Sequence, residues 1–173
     1  FVYQENGSKQ EGTGYYGELG YDFTGVLPWQ PYLSYRYASF SGDNPNTAKN
    51  ENFDPLFYGY TDWGTWYQGE ILGEYVLYNQ NLISHTIRLR MQPTDALTLN
   101  LLYYHFWLDD AAGFGVQGSN FADEVDLIAD YVWNDNLSFS TVLAASSPHD
   151  GATSFTGGND TWYYGMMFVS IAF

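Results

Sequence analysis

The chain has 173 residues, enough for one domain, and 20% of them are aromatic, with 17 Tyr, 12 Phe and 6 Trp. Its 20 acidic residues against five basic ones give a net charge of −15, which makes nucleic acid a poor partner. Cysteine is absent, which excludes disulfides and thiolate metal sites. No stretch approaches the roughly 18 consecutive apolar residues of a membrane-spanning helix. This does not exclude a chain that crosses a membrane with β-strands.

Two strands are predicted in the first quarter of the chain, over residues 15–24 and 31–41. In both, aromatic or aliphatic side chains alternate with polar ones. Carboxylates are costly against lipid, so the polar face is predicted to line a lumen. Residues 1–4 could supply the end of one more strand, and the polar, glycine-rich stretch that follows them up to residue 14 is predicted to be a loop. The charged inward residues of the two strands are Glu18, Asp22 and Arg36.

A long extracellular loop is predicted over residues 42–82, because alternation is lost there and long loops of outer-membrane barrels face outside the cell. Within it, residues 67–78 fit helical spacing about as well as strand spacing. A short helix or an irregular segment is therefore expected. The loop is also rich in rings, namely Tyr58, Tyr60, Trp63, Trp66 and Tyr67.

Five further strands are predicted, over residues 83–91, 97–107, 124–133, 137–146 and 160–173. Tight turns alternate with longer polar loops between them, as on the periplasmic and extracellular rims of outer-membrane barrels. The inward positions are predicted to be pore-lining and hold Arg88, Arg90, Asn100, Glu124, Asp126 and Asp130. The outward positions are mostly apolar, which is typical of strands that face lipid.

The last strand ends on Phe173, with Ile171 and Val169 on the same apolar face. It resembles the closing strand of a bacterial outer-membrane barrel, whose terminal aromatic residue is read by the barrel assembly machinery. The predicted fold class is all-β, an antiparallel transmembrane β-barrel of the outer-membrane type. A buried strand of a secreted β-sandwich is the alternative.

The predicted segments amount to seven strands, or eight if residues 1–4 belong to one more. Residues 1–173 are therefore expected to form a single barrel domain or the C-terminal segment of a larger barrel. An open sheet edge is prohibitive in a bilayer, so the remainder of a larger barrel or a partner chain is expected to pair with it. The other expected partners are the lipid bilayer with its lipopolysaccharide and the barrel assembly machinery. No cofactor is expected.

Several segments resemble the alginate export porins of Gram-negative outer membranes. The matching segments are residues 53–57 (FDPLF), 97–109 (LTLNLLYYHFWLD), 124–127 (EVDL), Tyr131, 136–138 (NLS) and the final Phe173. Together they cover the chain from about residue 53 to its end. The resemblance implies a single-chain barrel longer than 173 residues, located in the outer membrane, that exports a polysaccharide.

The charged residues at inward positions predict a water-filled pore whose walls carry opposite charges. Arg36, Arg88 and Arg90 would form a basic strip between two acidic strands, which would orient charged solutes and set ion preference. The alternative is that these groups only pair across strands and hold the sheet together.

Passive passage of polar or charged solutes is the predicted function, with a non-conducting sheath for partner proteins or a secreted carbohydrate-binding β-sandwich as alternatives. An enzyme is not expected, because no nucleophile and base converge. No metal site is expected either. His85 and His105 are predicted on the outward face and His149 in a loop, which implies no ready ligand set.

Overall fold

A computed structural model of the chain describes residues 1–7, 9–55 and 68–173. Eight strands account for most of this length: β1 (Val2–Asn6), β2 (Gln10–Asp22), β3 (Tyr32–Phe40), β4 (Leu82–Thr94), β5 (Leu97–Leu108), β6 (Asn120–Asn134), β7 (Leu137–Pro148) and β8 (Trp162–Ile171). A π-helix spans Gly69–Leu77, and the short helix α1 spans Asp150–Thr156. In the described part of the chain, no helix is long and apolar enough to cross a membrane.

All eight strands belong to one antiparallel sheet, in which each strand pairs with its neighbours in sequence. The all-β antiparallel fold predicted from alternation is thereby confirmed. Over the described residues the sheet is not closed, since β1 and β8 stand at its two ends. The architecture is that of part of an outer-membrane barrel, with the strand-by-strand order that such barrels have.

The first strands are longer than their sequence pattern predicts. β1 pairs with β2 from Val2 opposite Gly14 to Asn6 opposite Gln10, so that a hairpin occupies most of the first 14 residues. The polar, glycine-rich composition of this stretch suggested a loop instead. Cross-strand pairing fixes the backbone there without needing alternation of apolar side chains.

The two ends of the sheet differ in their connections. Two-residue turns at 95–96 and 135–136, together with the nine-residue connection 23–31, lie at what we call the short-turn rim. The connections 41–81, 109–119 and 149–161 define the long-loop rim. β8 ends at Ile171 opposite Leu137, so the C-terminus of the chain lies at the short-turn rim.

The two faces of the sheet differ in what covers them. On the outer face, side chains of alternate positions are exposed, including Tyr35, Ile87 (49% exposed), Leu101 and Leu127. On the inner face, the intervening side chains are buried and are a mixture of polar and apolar groups. Those buried in strands β3 to β7 include Ser34, Arg36, Thr86, Asn100, Leu102, Tyr104, Glu124, Asp126, Ile128 and Val142. The inward and outward phases predicted for β3 to β7 agree with this burial.

The π-helix covers part of the inner face. It supplies Ile71, Leu72 and Leu77 to the same buried cluster as Leu102 and Phe106 of β5. The predicted long loop thus contains a helix, as its spacing allowed. This helix packs against the sheet, and an apolar side chain buried in this way gains roughly 1.5 to 3 kcal/mol relative to exposure.

Helix α1 lies in a connection that the sequence indicated only as a polar loop. Gly151 and Ala152 are buried, and the helix ends at Gly157, whose φ of 77° is the left-handed conformation common after a helix C-terminus. A segment of seven residues in which only a glycine and an alanine are buried has too little apolar periodicity to predict a helix.

Candidate functional site

The candidate site is the inner face of the sheet together with the π-helix that rests on it. At one side of this face, Arg36 of β3 lies directly opposite Glu18 of β2. The guanidinium donates two hydrogen bonds to Glu18 Oε2, at 2.7 Å from Nη2 and 3.1 Å from Nε. Its carbon Cζ also stands 4.5 Å from the ring centroid of Tyr16. Arg36 is fully buried, so this pairing offsets the cost of removing its charge from water.

The other two arginines of the predicted basic strip lie on β4, closer to the short-turn rim. Arg88 is opposite Ser34, two positions along β3 from Arg36, which makes the two arginines diagonal neighbours on one face. Its Nε and Nη2 donate to Oδ1 of the buried Asn100 at 3.0 and 2.8 Å. Arg90, opposite the same Asn100, is exposed. The three arginines therefore lie on the same face of neighbouring strands, and Arg36 is ion-paired with Glu18. That they line a pore stays a prediction.

The acidic residues of β6 hold the π-helix. Glu124 Oε1 accepts a hydrogen bond from the backbone N–H of Ile71 at 2.8 Å, and its Oε2 accepts one from Leu72 at 2.9 Å. Asp126 Oδ2 accepts a third, at 3.2 Å, from the N–H of Glu70. The first N–H groups of a helix have no partner within the helix, and carboxylates satisfy both them and the helix dipole. These two side chains were predicted to line a pore and are instead covered by the helix.

Gly69 sets how closely the helix approaches the sheet. Its φ is +83°, and a Cβ at this position would stand 2.7 Å from Glu124 Oε1 and 3.0 Å from Phe106 Cζ. Any other residue would be strained in its backbone and would collide with the carboxylate that binds the helix. Gly69 is thus part of the docking contact.

Glu70 introduces a further acid into this contact. Burial, with the nearby charges of Asp126 and Glu74, raises the pKa of the Glu70 carboxyl well above its usual range. Among the described residues, Glu70 Oε1 and Asp126 Oδ1 are buried without a hydrogen-bond partner. Protonation of Glu70 lowers the electrostatic repulsion between its carboxyl group on the helix and the carboxylate of Asp126 on β6.

The remaining predicted inner-face acids lie outside the helix contact. Asp22 is exposed at the end of β2 and accepts the N–H of Thr24 at 2.8 Å in the following turn. Asp130 accepts the hydroxyl of Ser140 on β7 at 2.7 Å. Both act locally on the sheet and its turns.

The residues predicted as an assembly signal are exposed at the short-turn rim. Val169 and Ile171 lie opposite Phe139 and Leu137 of β7, and Phe173 follows the end of β8. The rings of the long loop, Tyr58, Tyr60, Trp63, Trp66 and Tyr67, lie outside the described residues.

Two of the three histidines come together, which the sequence did not suggest. His105 and His149 both contact the carboxylate of Asp123, whereas His85 hydrogen-bonds the hydroxyl of Tyr35. The sequence analysis considered the histidines alone and did not include Asp123, an acid on the outward face of β6.

Comparison with known protein families identifies the family of the chain. A family model described as Alginate export matches residues 4–153, which is most of the sequence. The chain belongs to the alginate export family. This family consists of export proteins of Gram-negative outer membranes, and the strand order described above has the form expected of part of such a barrel. A search of curated proteins gave no match.

Sequence reasoning about this alginate export chain missed the role of Glu124 and Asp126. The two-residue period correctly placed both side chains on the inner face. Nothing local showed that a helix 50 residues earlier in the chain would bring its N–H groups to them. The one available signal was Gly69 before the helical spacing of residues 71–76, since a glycine there allows close approach.

Proposed function

We propose that this chain forms the wall of an outer-membrane channel of a Gram-negative bacterium, through which polar or charged solutes pass passively. The family favours an anionic polysaccharide as the substrate class. The observation that carries the proposal is the contrast between the two faces of the same strands. Exposed Ile87 and Leu101 suit lipid, while the alternate positions hold Arg88 and Asn100, which suit a wet interior.

The charges of the inner face favour anions toward the short-turn rim. Two acids of this face are held by the helix contact, and Glu18 is held by Arg36. Arg90 is exposed toward the short-turn rim, and Arg88, which is bound to Asn100, lies on the same face two residues before it. At physiological salt each charge acts over roughly 8 to 10 Å, so a local basic wall can attract anions although the net charge of the chain is −15.

The docked π-helix supports a second candidate, a non-conducting sheath or a closed channel. The helix rests against the inner face near β6, where it occupies space that a solute would need. In the channel proposal, the helix narrows the passage. In the sheath proposal, the inner face serves a partner protein and passes no ions.

Planar bilayer recordings separate these two functions. The full-length protein should give channels, and Arg88→Ser with Arg90→Ser should move the reversal potential in a salt gradient toward cation preference. Asp130→Asn, which removes a negative charge from the same face, is the matched control and should move it toward anions or leave it unchanged. Complete absence of conductance would favour the sheath, and unchanged selectivity in the double variant would refute the basic wall.

The proposal includes the partners that a barrel wall requires. These are the bilayer with its lipopolysaccharide, the assembly machinery that would read Phe173, and further strands or a second chain at the edges β1 and β8. A secreted carbohydrate-binding sandwich fits less well, because the eight strands lie in one sheet with an exposed apolar outer face.

A further inference from the structure

A cluster of metal-ligating side chains lies on the outer face, away from the inner-face site. It consists of His105 on β5, Asp123 on β6 and His149, which directly precedes α1. Their ligand atoms all lie within 4.8 Å of one another. We propose that these three residues bind a divalent transition-metal ion of the zinc type.

The register of the sheet creates this arrangement. His105 is directly opposite Asp123 in the β5 and β6 pairing, and Asp123 is opposite Ser147 of β7. His149 follows Ser147 by two residues, so it is the diagonal neighbour of Asp123 on the same side of the sheet. A backbone hydrogen bond from His149 N to Phe121 O, at 2.8 Å, fixes its position beside β6.

The two contacts of the Asp123 carboxylate suit a metal with little movement, and the ligand nitrogens of the two histidines lie within 4.8 Å of each other. His105 Nδ1 lies 2.5 Å from Asp123 Oδ1, and His149 Nε2 lies 2.9 Å from Asp123 Oδ2. Around a tetrahedral zinc ion with bonds of about 2.0 to 2.1 Å, neighbouring ligand atoms stand about 3.3 Å apart. Each contact therefore needs to lengthen by less than about 1 Å to admit the ion.

The chemistry of the ligand set favours zinc over calcium or magnesium. Two imidazoles and one carboxylate are a typical zinc set, whereas the hard cations prefer oxygen ligands only. Tyr103 donates its hydroxyl to Asp123 Oδ1 at 2.8 Å and would orient the carboxylate toward the ion. His105 and His149 are partly exposed, with 20% and 34% of their side chains accessible, which leaves a way in for the ion.

The place of the cluster suggests what the metal would do. The cluster lies at the long-loop rim and joins β5, β6 and the residue directly before α1. A bound ion would cross-link the α1 connection to two strands, in the way that structural zinc ties separate segments together.

Titration of the detergent-solubilised full chain with Zn²⁺, against a chromophoric chelator, tests the proposal. We expect one Zn²⁺ per chain and no comparable competition by Mg²⁺. With water as the fourth ligand, Co²⁺ should give the visible absorption of a tetrahedral site. Tyr103→Phe should weaken binding by about 10-fold, the lower end of the effect of residues that orient a ligand.

The decisive variant is His149→Gln, because the side chain of His149 makes no capping hydrogen bond to α1 and lies outside the strand pairing. It should fold, as judged by heat-modifiable migration in detergent gels, and lose the stoichiometric Zn²⁺. His85→Gln, which changes the third histidine on the same face, is the control and should retain it. Absence of binding in the unchanged protein, or full binding in His149→Gln, would overturn the proposal.

Discussion

Replacing Glu124 with Gln should release the π-helix from the inner face. Glu124 offers one carboxylate oxygen to each of two backbone N–H groups, at 2.8 and 2.9 Å, and is fully buried. A glutamine keeps the size of the side chain but replaces one acceptor with an NH₂ donor. One helix N–H then loses its partner and faces another donor in a buried place.

The structure gives the size of this effect. A hydrogen bond to a charged group contributes about 1.5 to 3 kcal/mol, and a buried donor left without a partner costs about 1 to 3 kcal/mol. We therefore expect the docked state to be weakened by about 2 to 3 kcal/mol, because the second bond survives in part. At about 1.4 kcal/mol per factor of ten, the undocked population should rise about 30- to 140-fold.

Hydrogen exchange of the protein in detergent measures this population directly. The amides of Ile71 and Leu72 should exchange faster by that factor in Glu124→Gln, while those of β5 and β7 should keep their protection. Asp130→Asn is the control, because it changes the same strand at an acid bound to Ser140. Equal protection of residues 69–77 in both variants and the unchanged protein would refute the role assigned to Glu124.

Three further predictions concern the same helix and the outer face. Gly69→Ala should weaken docking by about 1 to 3 kcal/mol, measured by the same exchange, because the alanine strains the backbone and contacts Glu124. Gly17→Ala is the control and should not weaken docking, because its added Cβ has nothing within 4 Å. The pKa of Glu70 is raised when the helix is docked, so docking should be strongest below the ordinary pKa of 4.5 and should weaken as the pH rises toward the raised value. Hydrogen exchange, corrected for its intrinsic pH dependence, measures this change, and Glu70→Gln should flatten it. An unchanged pH dependence of docking in Glu70→Gln would contradict the prediction. Leu89→Arg should impair membrane assembly by about 2 to 4 kcal/mol if the site is near the bilayer centre, measured by folding into lipid vesicles, and harmless insertion would contradict the outward assignment of this face.

The two-residue alternation of apolar and polar side chains predicted the sheet well, because this alternation depends only on which face of a strand each residue occupies. The alternation around Leu101 and Asn100 or around Ile87 and Arg88 is local, and burial follows it. The pairing of Glu18 with Arg36 was also within reach, since both lie inward on consecutive strands. Such neighbours are set by the order of strands alone.

Contacts between distant segments were not predictable in this way. The docking of residues 70–72 on β6 depends on the path of a long connection, and the meeting of His105, Asp123 and His149 depends on the register of three strands. A shift of one residue in either pairing would turn Asp123 to the other face. Sequence pattern gives the face of a residue but not its partner across two strands.

Accessibility of single cysteines tests most directly whether the outer face meets lipid and the inner face meets water. The chain has no cysteine of its own, so Ile87→Cys and Arg90→Cys each introduce one thiol on opposite faces of β4. Both positions are exposed in the isolated chain. With the full-length protein in lipid vesicles, a water-soluble, membrane-impermeant maleimide supplied on both sides of the bilayer should label Arg90→Cys and leave Ile87→Cys unmodified. Equal labelling of both positions, or labelling of Ile87→Cys alone, would contradict the assignment of these faces and the membrane channel that depends on it.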